Sequence, residues 1–209
     1  RWAGIAQWAS FCFRGLCHTY NFLWINEVKI VKNDAKSDLR FRKNESLIRT
    51  VFKEMLSEMD YAKITVCALA DRAQINRKTF YLHYASLDHL LAVLQLEIME
   101  PSFALMEHSK FPDDLEKLVR HSFLFLLNAS ELEKKILSAK GNFPEGMSPE
   151  DYAREKFYKV CGRLPGCTPA ESRIVVAFFS SCFWGISMQW LLDGHAVPLE
   201  DMVALTVNL

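Results

Sequence analysis

The sequence predicts an all-α fold, and three observations carry that prediction. No alternation of apolar and polar residues longer than a few positions runs along the 209 residues, so no strand is expected. Helix-start chemistry recurs instead: Ser130 with Glu133, Ser148 before Pro149, and Thr168 before Pro169 with Glu171. Between Ile64 and Tyr84, two short helical patterns flank a three-residue break, the layout of a helix-turn-helix.

In chain order, Asn44 to Met59 places Leu47, Ile48, Val51, Phe52, Met55, Leu56 and Met59 on one face, which predicts a helix packed along that side. Thr65 precedes the next stretch and suits an N-cap, while Val66, Leu69, Ala70 and Ala73 form the inner face of a support helix. Gln74-Ile75-Asn76 breaks the pattern, with Ile75 turned inward and Asn76 placed to cap a second helix beginning at Arg77. Arg77, Lys78 and Thr79 stand in its first turn, where side-chain donors and the positive end of the helix dipole suit an anionic duplex. Phe80 and Tyr84 are expected to pack inward, and Tyr81 and His83 to face the DNA backbone.

Further along, Ser86 caps a helix expected to run to about Met99, with Pro101 ending it, and Asp113 or Asp114 opens another that reaches about Asn128. Gly141 to Gly146 reads as a loop. Pro169 starts a helix ending near Gly194, and Pro198 starts the last one. Ile174 to Leu192 holds no charged residue and is borderline in length for a membrane span. Ser180, Ser181, Gly185, Ser187 and Gln189 interrupt it, so the preferred reading is a helix buried in its own subunit and against a second copy, with no membrane partner. Ala177, Ser181 and Gly185 recur every four residues as the small-residue strip expected at that dimer interface.

Half of the residues are hydrophobic and the formal net charge is zero. The chain can therefore bury one core or two small ones, and any DNA-binding surface must be local. Cations gather at Arg40, Arg42 and Lys43 and again at Arg77 and Lys78. For the first group, a solvated helix terminus is the competing reading.

Ile64-Thr65-Val66, Ala70, Ala73, the run Thr79-Phe80-Tyr81-Leu82-His83-Tyr84 and the pair Leu90-Leu91 together resemble the TetR/AcrR family of bacterial transcriptional regulators. The resemblance implies a three-helix DNA-binding domain over 38–91 and a C-terminal helical ligand-binding and dimerisation domain over 92–209, with 1–37 as an extension. It further implies a cytoplasmic homodimer, most simply a ligand-responsive repressor. Such a protein would grip a near-palindromic operator in double-stranded DNA through Arg40, Arg42, Lys43, Thr65, Asn76, Arg77, Lys78, Thr79, Tyr81 and His83.

Three residues depart from the family pattern. Tyr84 stands where phenylalanine is usual. Gln74 stands where glycine is usual, which would make a left-handed turn costlier by about 1 kcal/mol and predicts a differently shaped turn. Leu87 replaces the lysine that grips phosphate at the start of the fourth helix, so one phosphate contact is expected to be missing. Gln74 and Leu87 are the features that favour an alternative, a TetR-like co-regulator acting through protein contacts without operator binding.

The C-terminal half is similar to the family only through Phe125-Leu126-Leu127-Asn128, Glu131-Leu132 and Trp190-Leu191-Leu192-Asp193-Gly194. An effector pocket there is expected to draw on Phe103, Met106, Phe123, Phe125, Tyr158, Phe179, Phe183, Trp184 and Met188, although such stripes also serve as plain core.

Enzyme and metal chemistry find no support in the spacing. Six cysteines form no Cys-x-x-Cys pair, six histidines are scattered, and no phosphate loop, dinucleotide fingerprint or nucleophile elbow occurs. Neither an enzyme, a metal site nor a cofactor is expected. Cys161 and Cys167 suit either a redox pair or two unpaired thiols. Trp2, Trp8, Phe11, Phe13, Phe22 and Trp24 leave two readings open for the first residues: an extension upstream of a natural start at Val31, or an aromatic helix packed on the core or the dimer.

Overall fold

The computed structural model describes residues 35–106, 108–109, 113–143, 148–162, 164 and 166–208. Among them every regular element is helical: α1 (Ala35–Glu58), a short 3-10 turn (Tyr61–Lys63), α2 (Val66–Arg72), α3 (Arg77–His83), α4 (Leu87–Met106), α5 (Leu115–Asn128), α6 (Glu131–Ser138), α7 (Pro149–Cys161), α8 (Pro169–Leu192) and α9 (Leu199–Val207). The aromatic segment from Trp2 to Trp24 lies outside the described residues, as do the side chains of Met106 and Cys161.

Local side-chain chemistry sets the helix starts. The Thr65 hydroxyl accepts from the Ala68 N–H at 3.1 Å, and Asn76 Oδ1 accepts from the Lys78 N–H at 2.9 Å. Ser130, Ser148 and Thr168 each complete a capping box, with Glu133, Asp151 and Glu171. Hydrogen bonds from Ser130 and from Thr168 hold the Glu133 and Glu171 carboxyls below the usual carboxylate range.

Pro101 does not end α4, which carries the proline inside it and continues to Met106. Glu97, whose carbonyl loses its partner, and Pro101 are both exposed, so water can serve the freed group. Met99 and Phe103, on either side, are buried and anchor the helix across the break.

Two hydrophobic clusters share α4. In the first, Ile48, Phe52 and Leu56 of α1, Leu69 of α2, Phe80 of α3, Leu90, Leu91 and Leu94 of α4 and Ile136 of α6 are essentially inaccessible. The second joins Met99 and Phe103 of α4 to Phe123 of α5, Leu137 of α6, Trp190 of α8 and Val203 of α9. Each fully buried large side chain contributes about 1.5–3 kcal/mol. Buried Gln95 ties the two together, donating through Nε2 to the carbonyls of Ile136 at 2.8 Å and Ala139 at 3.1 Å, and so fastening the end of α6 to α4.

Among the described residues α8 is the one helix long and apolar enough to cross a membrane. It packs on α5, α6 and α7 and places Val176, Trp190 and Leu191 in the interior.

Candidate functional site

The Thr65 and Asn76 caps fix where α2 and α3 begin, and the turn between them fixes their angle. Gln74 sits at φ +52°, so the left-handed turn survives without glycine, against the expectation of a reshaped one. The Ile75 N–H donates to the Ala70 carbonyl at 3.0 Å and locks the turn to the end of α2. Phe80 is fully buried and Tyr84 nearly so, which pins the inner side of α3 and turns Arg77, Lys78 and Tyr81 to solvent. Thr79 is half-buried.

The cations of this region fall into two groups. Arg49 is bound by Glu45 and Glu97, Lys63 by Asp60, and Arg72 by Glu54 and Glu58. Arg77 and Lys78 have no acidic partner among the described residues and stand exposed at the N-terminal end of α3, where the helix dipole adds to their charge. Arg40, Arg42 and Lys43 are exposed along the first turns of α1.

His83 is a correction. It was expected outward, yet its ring is 7% exposed and stacks on Phe41 of α1, with centroids 4.0 Å apart. His83 follows the fully buried Phe80 by three residues and so shares the inner face of α3. Burial pushes its pKa down, against an opposing effect of Glu45.

A polar joint, absent from the sequence reading, lies behind α3. Arg49 donates through Nε to the Tyr84 hydroxyl at 2.8 Å, through one terminal nitrogen to Glu97 at 2.6 Å and through the other to Glu45 at 2.9 Å. One guanidinium thereby links α1, the C-cap of α3 and α4. Burial works against the Arg49 charge, but Glu97 and Tyr84 outweigh it, so its pKa rises. Burial likewise pushes the Tyr84 phenol up to about 12, against the pull of Arg49. The substitution of Tyr84 for phenylalanine supplies the acceptor for this joint.

A cavity of 520 Å³ opens among α4, α5, α6, α7, α8 and α9. Phe103, Phe125, Phe179, Phe183, Trp184 and Met188 line it, together with Met99, Leu118 and Phe157, which were not anticipated. Phe123 does not line it: it is fully buried between Phe183 and Trp190. Tyr158 also lies elsewhere, its ring under the Arg173 guanidinium. Both were assigned on apolar character, which cannot distinguish a residue facing a void from one filling the core.

No protein-family model matches the chain, and no curated protein matches it in sequence. Solved structures do. NalD, the secondary repressor of the MexAB-OprM multidrug efflux pump in Pseudomonas aeruginosa, aligns over 80% of this chain and 94% of its own at TM-score 0.57 and 18% identity. A TetR transcriptional regulator from Rhodococcus sp. RHA1 aligns at TM-score 0.49 and 15% identity, over 78% of this chain and 92% of that one. The chain shares the fold of NalD.

Within this fold, Leu87 begins α4 half-buried against the first cluster, so it serves packing where the TetR/AcrR pattern has a cation. Ser181 and Gly185 are exposed on α8 and Ala177 is half-buried; Ile174 and Phe178 stand exposed beside them. Among the described residues no three His, Cys, Asp or Glu side chains gather to hold a metal ion.

Proposed function

We propose that the chain is a cytoplasmic, ligand-responsive transcriptional regulator, most simply a repressor, that reads double-stranded DNA as a homodimer and has no enzymatic role. One observation carries the reading: the capped, exposed start of α3 keeps Arg77 and Lys78 un-neutralised, while Arg49, Lys63 and Arg72 are each tied to carboxylates. Arg77, Lys78, Thr79 and Tyr81 then serve as the contacts of the reading helix to phosphates and base edges, with Thr65, Asn76, Arg40, Arg42 and Lys43 meeting further phosphates. The fold shared with a repressor supports the same class.

Two copies joined along the exposed α8 face, around Ser181 and Gly185 with Ile174 and Phe178 beside them, would carry two reading heads. Two heads can occupy major grooves about 34 Å apart, which one cannot. The cavity supports ligand control through α4, which lines it with Met99, Ser102 and Phe103 and reaches α3 through Glu97, Arg49 and Tyr84.

Anisotropy of a fluorescent duplex of mixed sequence tests the reading at low salt. Binding is expected, with a log–log salt slope that falls by about two units in Arg77→Ala/Lys78→Ala, one per lost phosphate contact. Absence of binding at low salt would overturn it in favour of a co-regulator acting through protein contacts.

A further inference from the structure

The hydroxyls around the cavity divide into two kinds. Ser122, Ser180 and Thr206 are already satisfied by their own helices, donating to the carbonyls of Leu118 at 3.0 Å, Ala177 at 3.1 Å and Met202 at 2.7 Å. Ser102 of α4 and Ser187 of α8 line the same cavity, and the Oγ of each is buried without a hydrogen-bond partner among the described residues. Ser187 is only 3% exposed. A buried hydroxyl left unpaired is costly, and two lining one cavity mark where a ligand group belongs.

Among the described residues, the rest of the lining is hydrocarbon, aromatic rings and sulfur, with no Asp, Glu, Lys, Arg or His. An ionic group entering would lose its water and meet no counter-charge. We infer that the cavity takes an uncharged, largely apolar small molecule carrying a hydroxyl or carbonyl that pairs with Ser187 and Ser102. This names the effector class of the proposed regulator and rests on that reading for its regulatory consequence. The binding itself is tested without DNA.

The probe is N-phenylnaphthylamine, an uncharged dye that brightens in apolar sites, displaced by decanol, decanoate or decylammonium at neutral pH. Decanol is expected to displace it, and both ions to compete at least about tenfold more weakly. Ser187→Ala and Ser102→Ala should each weaken decanol about three- to tenfold, whereas Ser122→Ala, whose hydroxyl is already occupied, should change nothing. Equal competition by either ion, indifference to both serine variants, or failure of the dye to bind would overturn the proposal. Loss of the DNA-binding reading alone would leave these outcomes unmoved, so the two failures are separable.

Discussion

The two hydrophobic clusters share α4 yet differ in kind. The cluster beneath α3 is closed: Phe52, Phe80, Leu90 and Leu91 are fully inaccessible, and Arg77 and Lys78 stand exposed on the same helix as Tyr81 and Leu82. The cluster around Phe103 and Trp190 borders a cavity, and on the helix beside it Ile174, Phe178 and Phe179 remain exposed. A closed core holds two short helices at a fixed angle, as the proposed DNA contact requires. An open one leaves room for a ligand and a face for a second copy.

Truncation should break this contrast most strongly. Phe80→Ala empties a fully enclosed site and is expected to cost about 3–5 kcal/mol in urea unfolding, whereas Phe125→Ala enlarges an existing void and should cost about 1–2 kcal/mol. Equal losses would deny that the cores differ.

Acid should also weaken the closed region first. Burial lowers the pKa of both His83 and His89 below the ordinary value of about 6.5, so the unfolded chain binds more protons there than the native one. Stability therefore rises with pH through that window and falls as pH drops below about 6.5. His89 sharpens the point, since its Nδ1 accepts from the Ala85 N–H at 3.1 Å and cannot do so once protonated. Urea midpoints between neutral pH and pH about 5 should decline, and His83→Leu should flatten the decline.

Tyr84→Phe removes the acceptor that Arg49 uses and should destabilise by about 1 kcal/mol. If the joint couples α4 to α3, the same variant should retain DNA binding while responding less to ligand. The smallest effect is at the turn. Gln74→Gly relieves a left-handed residue but adds freedom to the unfolded chain, for a net gain of about 0.5 kcal/mol in thermal or urea unfolding.

The all-helical fold and the two capped helices around the Gln74 turn were legible because their signals are local. Thr65, Asn76, Ser130, Ser148 and Thr168 cap the helices they precede, and the spacing of Phe80 and Tyr84 specifies which side of α3 is buried. His83 escaped because its inward turn depends on Phe41, more than forty residues away, covering it. The Arg49 joint escaped for the same reason: Glu45, Tyr84 and Glu97 meet only after α1, α3 and α4 pack. Of the pocket residues, Phe103, Phe125, Phe179, Phe183, Trp184 and Met188 were placed on the cavity, whereas Phe123 and Tyr158 were not. A sequence marks a side chain as apolar, but whether it faces a void depends on how neighbouring helices are spaced.

Selection of bound duplexes from a random DNA pool, run in parallel with wild-type protein and Arg77→Ala/Lys78→Ala, tests the central claim most directly. The account predicts an enriched near-palindrome with half-sites about one helical turn apart, lost in the double variant. A pool that stays random for the wild type, or the same motif recovered by both proteins, would contradict it.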